Sequence, residues 1–286
     1  MRKPTAFVAL LALGLVSPAY ADLPAPAARP RAPTLEGHLP RDVALTLGST
    51  GAWLLGATVL SAPLAPSRCR WCTPNAFDRG VRDALVWNDR DAAELFSNVG
   101  IAAAWVNGLG ALALVAHADG RLRDSAHDSL YVAEAVGVTM FLTTAVKLMA
   151  ARARPAVYFQ SPGFEAIARE ERNLSFFSGH SALSFSLATA AGTVASLRGY
   201  RHAPWLWATG LSIAGFTAFA RIAADKHYAS DVLVGAAVGA GVGAGLPLWL
   251  HGRVREPSGP AEAVSWRVLV MPMAQGGTLV GLGARL

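Results

Sequence analysis

Arg221–Asp231 reads RIAADKHYASD, and Val232–Leu250 continues it as VLVGAAVGAGVGAGLPLWL. The first part holds His227 and Asp231 four positions apart; the second contains no Asp, Glu, Lys or Arg. Four residues make about one helical turn, so the two side chains share a face where an apolar helix begins. A carboxylate there can accept one imidazole N–H and leave the other nitrogen free to attack, the orienting logic of a catalytic triad. Arg221 is placed to add positive charge for an anion. The plain alternative is a salt-bridged pair at a helix start. Asp225 and Lys226 read as solvated loop charges.

Outward from this stretch the chain is organised by apolar segments: Val43–Leu60, Leu95–Ala116, Leu130–Ala150, Ser181–Leu197, Ala203–Ala220 and Val232–Leu250. Each is about the ~17–25 residues a helix needs to cross a bilayer. Only the third contains charged residues, Glu134 and Lys147. Gly235, Gly239 and Gly243 recur every fourth position, a spacing that predicts close helix–helix packing in a membrane. The fold expected is therefore all-α, a six-helix membrane-embedded bundle. A buried soluble bundle is the alternative. Composition supports the membrane reading: 53% of residues are hydrophobic and 15% charged. No basic, aromatic-interleaved cluster suggests a nucleic-acid surface.

Two further stretches carry chemistry. In KLMAARARP (Lys147–Pro155), Lys147 and Arg154 lie nearly two helical turns apart and can share a face. Pro155 places them at a helix end. Arg forks two donors onto phosphate oxygens, and Lys acts as a point charge. Read alone, Arg152 and Arg154 are equally ordinary loop charges at a membrane edge. Ser178-Gly179-His180 precedes the fourth segment. Ser is a good N-cap, free N–H groups at a helix start favour anions, and His180 can act as an acid near neutral pH. A plain cap with an interfacial histidine is the alternative.

The N-terminus has the three parts of a secretory signal: Arg2-Lys3, the apolar Phe7–Val16, and Ala19-Tyr20-Ala21. Residues 1–21 are expected to be that signal, 22–41 a Pro-rich linker, 42–252 the helical domain, and 253–286 a tail with a small β-hairpin around Gln275-Gly276-Gly277. Cys69 and Cys72, close together in an exported chain, are most simply a local disulfide, with a redox-active pair as the alternative. His38, His117, His127, His202 and His251 lie in the linker or at segment ends, where polar tips meet water or headgroups. Glu134, an acid inside an apolar segment, is expected to bond to a neighbouring helix.

The order Lys147-x6-Arg154-Pro155, Ser178-Gly179-His180, Arg221-x5-His227-x3-Asp231 resembles the type 2 phosphatidic acid phosphatase and vanadium haloperoxidase superfamily, whose pattern is KxxxxxxRP, PSGH and SRxxxxxHxxxD. Phe177 and Ala220 stand where that pattern has Pro and Ser. The resemblance implies that His227 is the nucleophile, Asp231 orients it, and His180 protonates the leaving oxygen. Lys147, Arg154, Arg221 and the Ser178–Gly179 backbone would hold the phosphate oxygens, with no metal or other cofactor. It implies a membrane phosphatase acting on a lipid phosphate or pyrophosphate. A vanadate-dependent haloperoxidase and a soluble periplasmic acid phosphatase are the alternatives, vanadate being a cofactor only in the former. The expected partners are the bilayer and a lipid phosphate. Topology is in conflict: six crossings from an exported Asp22 would put the three motifs and both cysteines inside, whereas the cysteines and the family favour an outward-facing site.

Overall fold

The computed structural model describes residues 33–254 and the backbone of 265–272 and 278–285. The expected signal peptide and most of the expected linker lie outside the described residues. The chain forms α1 (Leu39–Leu54, prolonged by a π-helical segment to Val59), α2 (Ser61–Leu64), α3 (Ala76–Leu85), α4 (Arg90–Trp105), α5 (Leu112–Ala118), α6 (Ser125–Ala150), α7 (Pro155–Tyr158), α8 (Gly179–Arg198), α9 (Ala203–Ala223) and α10 (Ala229–Leu250). A π-helical segment, Val106–Ala111, joins α4 to α5 without a break. Ser265–Pro272 and Thr278–Arg285 are antiparallel strands, β1 and β2, with Ser265 opposite Arg285.

The helix starts are set by local chemistry. Asn75 and Asp89 cap α3 and α4 by accepting from the N–H groups of Asp78 and Ala92. The linker was expected to run to Arg41, but α1 begins at Leu39. Pro40 sits in its first turn, where a missing N–H leaves no bond unmade. Gly199, at φ 69°, ends α8 in the left-handed conformation glycine adopts without strain.

α8 is buried along most of its length and packs against α4, α6, α9 and α10. Its run of Ser, Thr, Ala and Gly lets neighbours approach closely. A Cβ on Gly239 would sit 2.2 Å from the Ala182 carbonyl oxygen, and one on Gly243 2.2 Å from Thr189 Oγ1. The glycine stripe of α10 therefore lies directly on α8, as its spacing predicts.

Among the described residues, four helical stretches are long and apolar enough to cross a membrane: Arg90–Ala118, Leu122–Ala150, Ala203–Ala223 and Ala229–Leu250. Leu39–Val59 and α8 are not among them; α8 has traded apolar bulk for the small polar residues of a bundle interior. Large apolar side chains cover the outside, among them Leu95, Val106, Leu114, Trp205 and Leu233. Such a surface is unusual on a soluble monomer and suits lipid.

α6 and α9 run toward one end of the bundle, and α4, α8 and α10 start there. Lys147, Arg154, Ser178 and Asp231 thereby collect at that end. At the other end Glu134 bonds to His251 across helices, Nε2 to Oε2 3.0 Å. His251 is 1% exposed, which corrects its reading as a water-facing tip. Burial is possible because both ring nitrogens have polar partners, Nε2 facing Glu134 and Nδ1 the Glu36 carbonyl. His38, His117 and His127 are exposed.

Candidate active site

Lys147 lies in the last turn of α6, which Ala151 ends at φ 45°. Arg154 precedes Pro155 at the start of α7. Its Nε donates to the Glu171 carbonyl (2.8 Å), Nη1 to the Lys226 carbonyl (3.3 Å) and Nη2 to Glu171 Oε2 (3.3 Å). Ser178 caps α8, accepting from Ser181 N, and its own N–H donates to the Asp231 carbonyl at 3.0 Å. That bond ties the starts of α8 and α10 together. Arg221, near the end of α9, donates from Nη1 to Ser97 Oγ at 3.0 Å. Its Nε is buried without a partner.

Lys147, Arg154, Gly179, His180, Arg221 and His227 line one cavity of ≈ 650 Å³. Ser178 and Asp231 stand behind it. Its other wall is apolar, with Trp53, Ile101, Met140, Leu148 and Leu183; Glu94, Glu170 and Glu171 also face it. A Cβ on Gly179 would meet Thr143 Cγ2 at 3.7 Å, an ordinary contact, so space alone does not demand glycine there.

His227 is 2% exposed, and its Nδ1 makes no hydrogen bond among the described residues. Asp231 Oδ2 is 3.6 Å away. Asp231 is instead satisfied by Ser175 Oγ (2.6 Å), the Tyr228 N–H (2.9 Å) and Arg152. Burial, and then Arg154, Lys147 and Arg221, push the His227 imidazole well below its ordinary range. Burial, and then Arg221, Lys147 and Arg154, likewise lower His180. Its Nε2 lies 3.0 Å from Asn98 Oδ1. Both rings are thus neutral at pH 7 in the substrate-free site.

Sequence reasoning missed the support behind this wall. Arg152, read as an ordinary loop charge, is 1% exposed. Its Nη2 meets Asp78 Oδ2 at 2.6 Å, and its Nη1 meets Asp231 and Ser230 Oγ, the latter at 2.7 Å. The guanidinium lies between the rings of Trp71 (3.8 Å) and Tyr228 (4.3 Å). The Arg-x-Arg-Pro run was a visible hint of this role; nothing in the spacing joined Asp78 to Asp231. Asp225 also corrects its reading as a solvated charge. It is 0% exposed, with Arg82 donating to both oxygens at 2.7 Å and Ser161 Oγ to one of them. Lys226 pairs with Glu94 at 2.9 Å.

Cys69 and Cys72 are bonded to each other. Their loop runs beside the α6–α7 link: Arg70 N donates to the Ala151 carbonyl (3.0 Å) and Ala153 N to the Trp71 carbonyl (3.1 Å). The disulfide and the cavity therefore occupy the same end of the bundle.

Residues 128–255 match the family model described as the PAP2 superfamily. Over 86 residues the chain is 37% identical to the Lipid A 1-phosphatase of Porphyromonas gingivalis, covering 30% of this chain and 18% of that protein. The match thus spans less than a fifth of the relative's length. No solved structure matches the chain. The three motifs, Lys147 to Asp231, all fall within the segment that matches the PAP2 superfamily model and meet around one cavity.

Proposed function

We propose that this protein is a membrane phosphatase that hydrolyses a lipid phosphate or pyrophosphate monoester through a phosphohistidine. One observation carries the reading: a single cavity joins three cations and two histidines to an apolar wall. The first half suits a phosphate, the second the lipid that bears it. Four apolar helices and the similarity to a lipid A 1-phosphatase support a lipid substrate. In this reading α1 and α8 complete a six-helix bundle in the membrane.

Lys147, Arg154, Arg221 and the first N–H groups of α8 hold the non-bridging oxygens, with charge placed where it develops in phosphoryl transfer. His227, neutral, turns Nδ1 toward Asp231 and attacks phosphorus through Nε2. The Nε2–P bond forms as the P–O bond to the lipid breaks. His180 gives its proton to the departing oxygen. Water then attacks the phosphohistidine, His180 takes up a proton, and phosphate leaves. The cations around the anion supply the compensation a metal would otherwise give, so turnover after treatment with EDTA is expected to persist.

The site is proposed to face the oxidising side of the membrane, on the support of the Cys69–Cys72 bond. Asp42 and Ser61 lie at opposite ends of the bundle, so Pro33 would then start on the reducing side.

The test is turnover by purified protein on a panel of lipid phosphates, lipid diphosphates and soluble phosphoesters. Wild type should prefer the lipids and yield an acid-labile phosphoprotein. His227→Ala should lose both label and turnover. Equal phosphate release by the two proteins would reject the mechanism.

A further inference from the structure

The end of the bundle opposite the cavity holds a second buried polar cluster. Asp42 in the first turn of α1, Glu134 in α6 and His251 just past α10 are 1%, 0% and 1% exposed. One ligand-type atom from each lies within 4.8 Å of the other two. Glu134 and Lys147 are far apart on α6, roughly 20 Å along the axis, so this cluster is no part of the phosphate site.

Three observations point to a ligand rather than a simple ion pair. First, Glu134 Oε1 is fully buried and accepts no hydrogen bond among the described residues. A bare carboxylate oxygen away from water is costly, and a cation would satisfy it. Second, the imidazole is arranged as a metal ligand is. Its Nδ1 faces the Glu36 carbonyl at 3.1 Å. A carbonyl only accepts, so Nδ1 carries the proton and Nε2 is turned toward the carboxylates. Metal-binding histidines commonly fix their tautomer by such an outer bond. The ring is also stacked on Tyr131, centroids 3.6 Å apart at 17°. Third, the Nε2–Oε2 separation is 3.0 Å. Neighbouring ligands of an ion held at ~2.1 Å stand ~3–3.4 Å apart, so the pair already has nearly the right spacing.

We propose that Asp42, Glu134 and His251 bind a divalent cation of the Zn²⁺ class. Asp42 retains capacity for it: its oxygens accept from His38 N (2.9 Å) and Arg41 (2.8 Å). Each carboxylate oxygen has a second lone pair. The ion joins three parts of the chain remote in sequence: the segment Glu36–Asp42, the middle of α6, and the exit of α10. Its role is to lock the inner end of the bundle, not to act in phosphoryl transfer.

The experiment uses the untagged full-length protein, stripped with EDTA, dialysed, exposed to Zn²⁺ and dialysed again. Metal content is read by mass spectrometry, and Co²⁺ serves as a spectroscopic probe of imidazole ligation. We expect about one Zn²⁺ per chain and a rise in melting temperature in wild type. Glu134→Gln and His251→Gln, checked for fold by circular dichroism, should bind at least tenfold more weakly. His180→Asn should bind as wild type does. Wild type that retains no Zn²⁺, or shows no imidazole–Co²⁺ signature, overturns the proposal whether or not the variants fold. So does binding lost in His180→Asn and kept in Glu134→Gln. An imidazolium–carboxylate pair would be the explanation left in either case.

Discussion

Asp231 stands 3.6 Å from His227 Nδ1 yet accepts its hydrogen bonds elsewhere, from Ser175 Oγ, the Tyr228 N–H and Arg152. The carboxylate is anchored before it orients anything. Catalytic hydrogen bonds are often long in empty sites and tighten when substrate binds. A shift of well under 1 Å would make this one. Asp231→Asn is therefore expected to lower kcat by roughly 10³-fold, with KM little changed, as when a triad loses its orienting carboxylate. Ser175→Ala removes one anchor and leaves the charge, and should cost far less. Steady-state kinetics on a lipid phosphate checks both; equal losses would contradict the orienting role.

Arg152 is the anchor of that anchor. Removing it leaves Asp78 and Asp231 buried and unpaired, which typically costs about 3–5 kcal/mol. Arg152→Ala should therefore unfold far below wild type in detergent melts. Trp71→Ala removes one cation–π face and a ring contact with Phe176 but no charge, and should cost less, about 0.5–2 kcal/mol for the cation–π part. Asp78→Asn combined with Arg152→Ala should cost less than the two separate losses together, because the first removes a charge the second strands.

The two histidines give a pH prediction with a definite sign. Burial and the nearby cations hold His227 and His180 below their ordinary range. In the proposed mechanism this leaves the nucleophile, His227, ready in the free protein and the acid, His180, without the proton it must give. A bound dianion opposes the cations and raises His180, so binding must take up a proton. With tungstate, a dianion that does not itself titrate near neutrality, calorimetry in two buffers at pH 6.5 should show uptake approaching one proton per anion. His180→Asn should abolish it. Zero uptake by wild type would remove His180 as the acid.

Glycine packing offers a paired test. A Cβ at Gly239 collides with the Ala182 carbonyl at 2.2 Å, whereas nothing lies within 4 Å of one at Gly241. Gly239→Ala should destabilise by about 1–3 kcal/mol through overpacking. Gly241→Ala, on the same helix, should stabilise by roughly 0.5–1 kcal/mol, the helix-interior difference between the two residues. Thermal melts of the two variants should move in opposite directions.

Periodicity and length made the helices legible, and the glycine stripe of α10 correctly announced a close neighbour. The cavity-lining residues could be read because they act through motifs with fixed local spacing. What could not be read was the support. Arg152, Asp78, Ser175 and Trp71 come from different parts of the chain and meet only in three dimensions. Asp225 and His251 were misread for one reason: a charged or polar residue beside a helix end looks solvated until its buried partners, Arg82 and Glu134, are in view. Length marked α8 as a helix but did not tell its surroundings: its Ser and Thr groups face the bundle interior, where Thr139 Oγ1 donates to Ser186 Oγ at 3.0 Å.

The proposed side of the membrane rests on the shared end of the disulfide and the cavity. A bond between Cys69 and Cys72 persists where thiols are oxidised, so the cavity should open there. His251 and Gly252, at the far end of α10, should then lie on the reducing side. In intact cells treated with an impermeant reductant, an impermeant maleimide should label Cys69 and Cys72. A Gly252→Cys variant on a Cys69→Ser/Cys72→Ser background should label only after permeabilisation. The reverse pattern would place the site inside. It would then be reached by substrate from the inner leaflet.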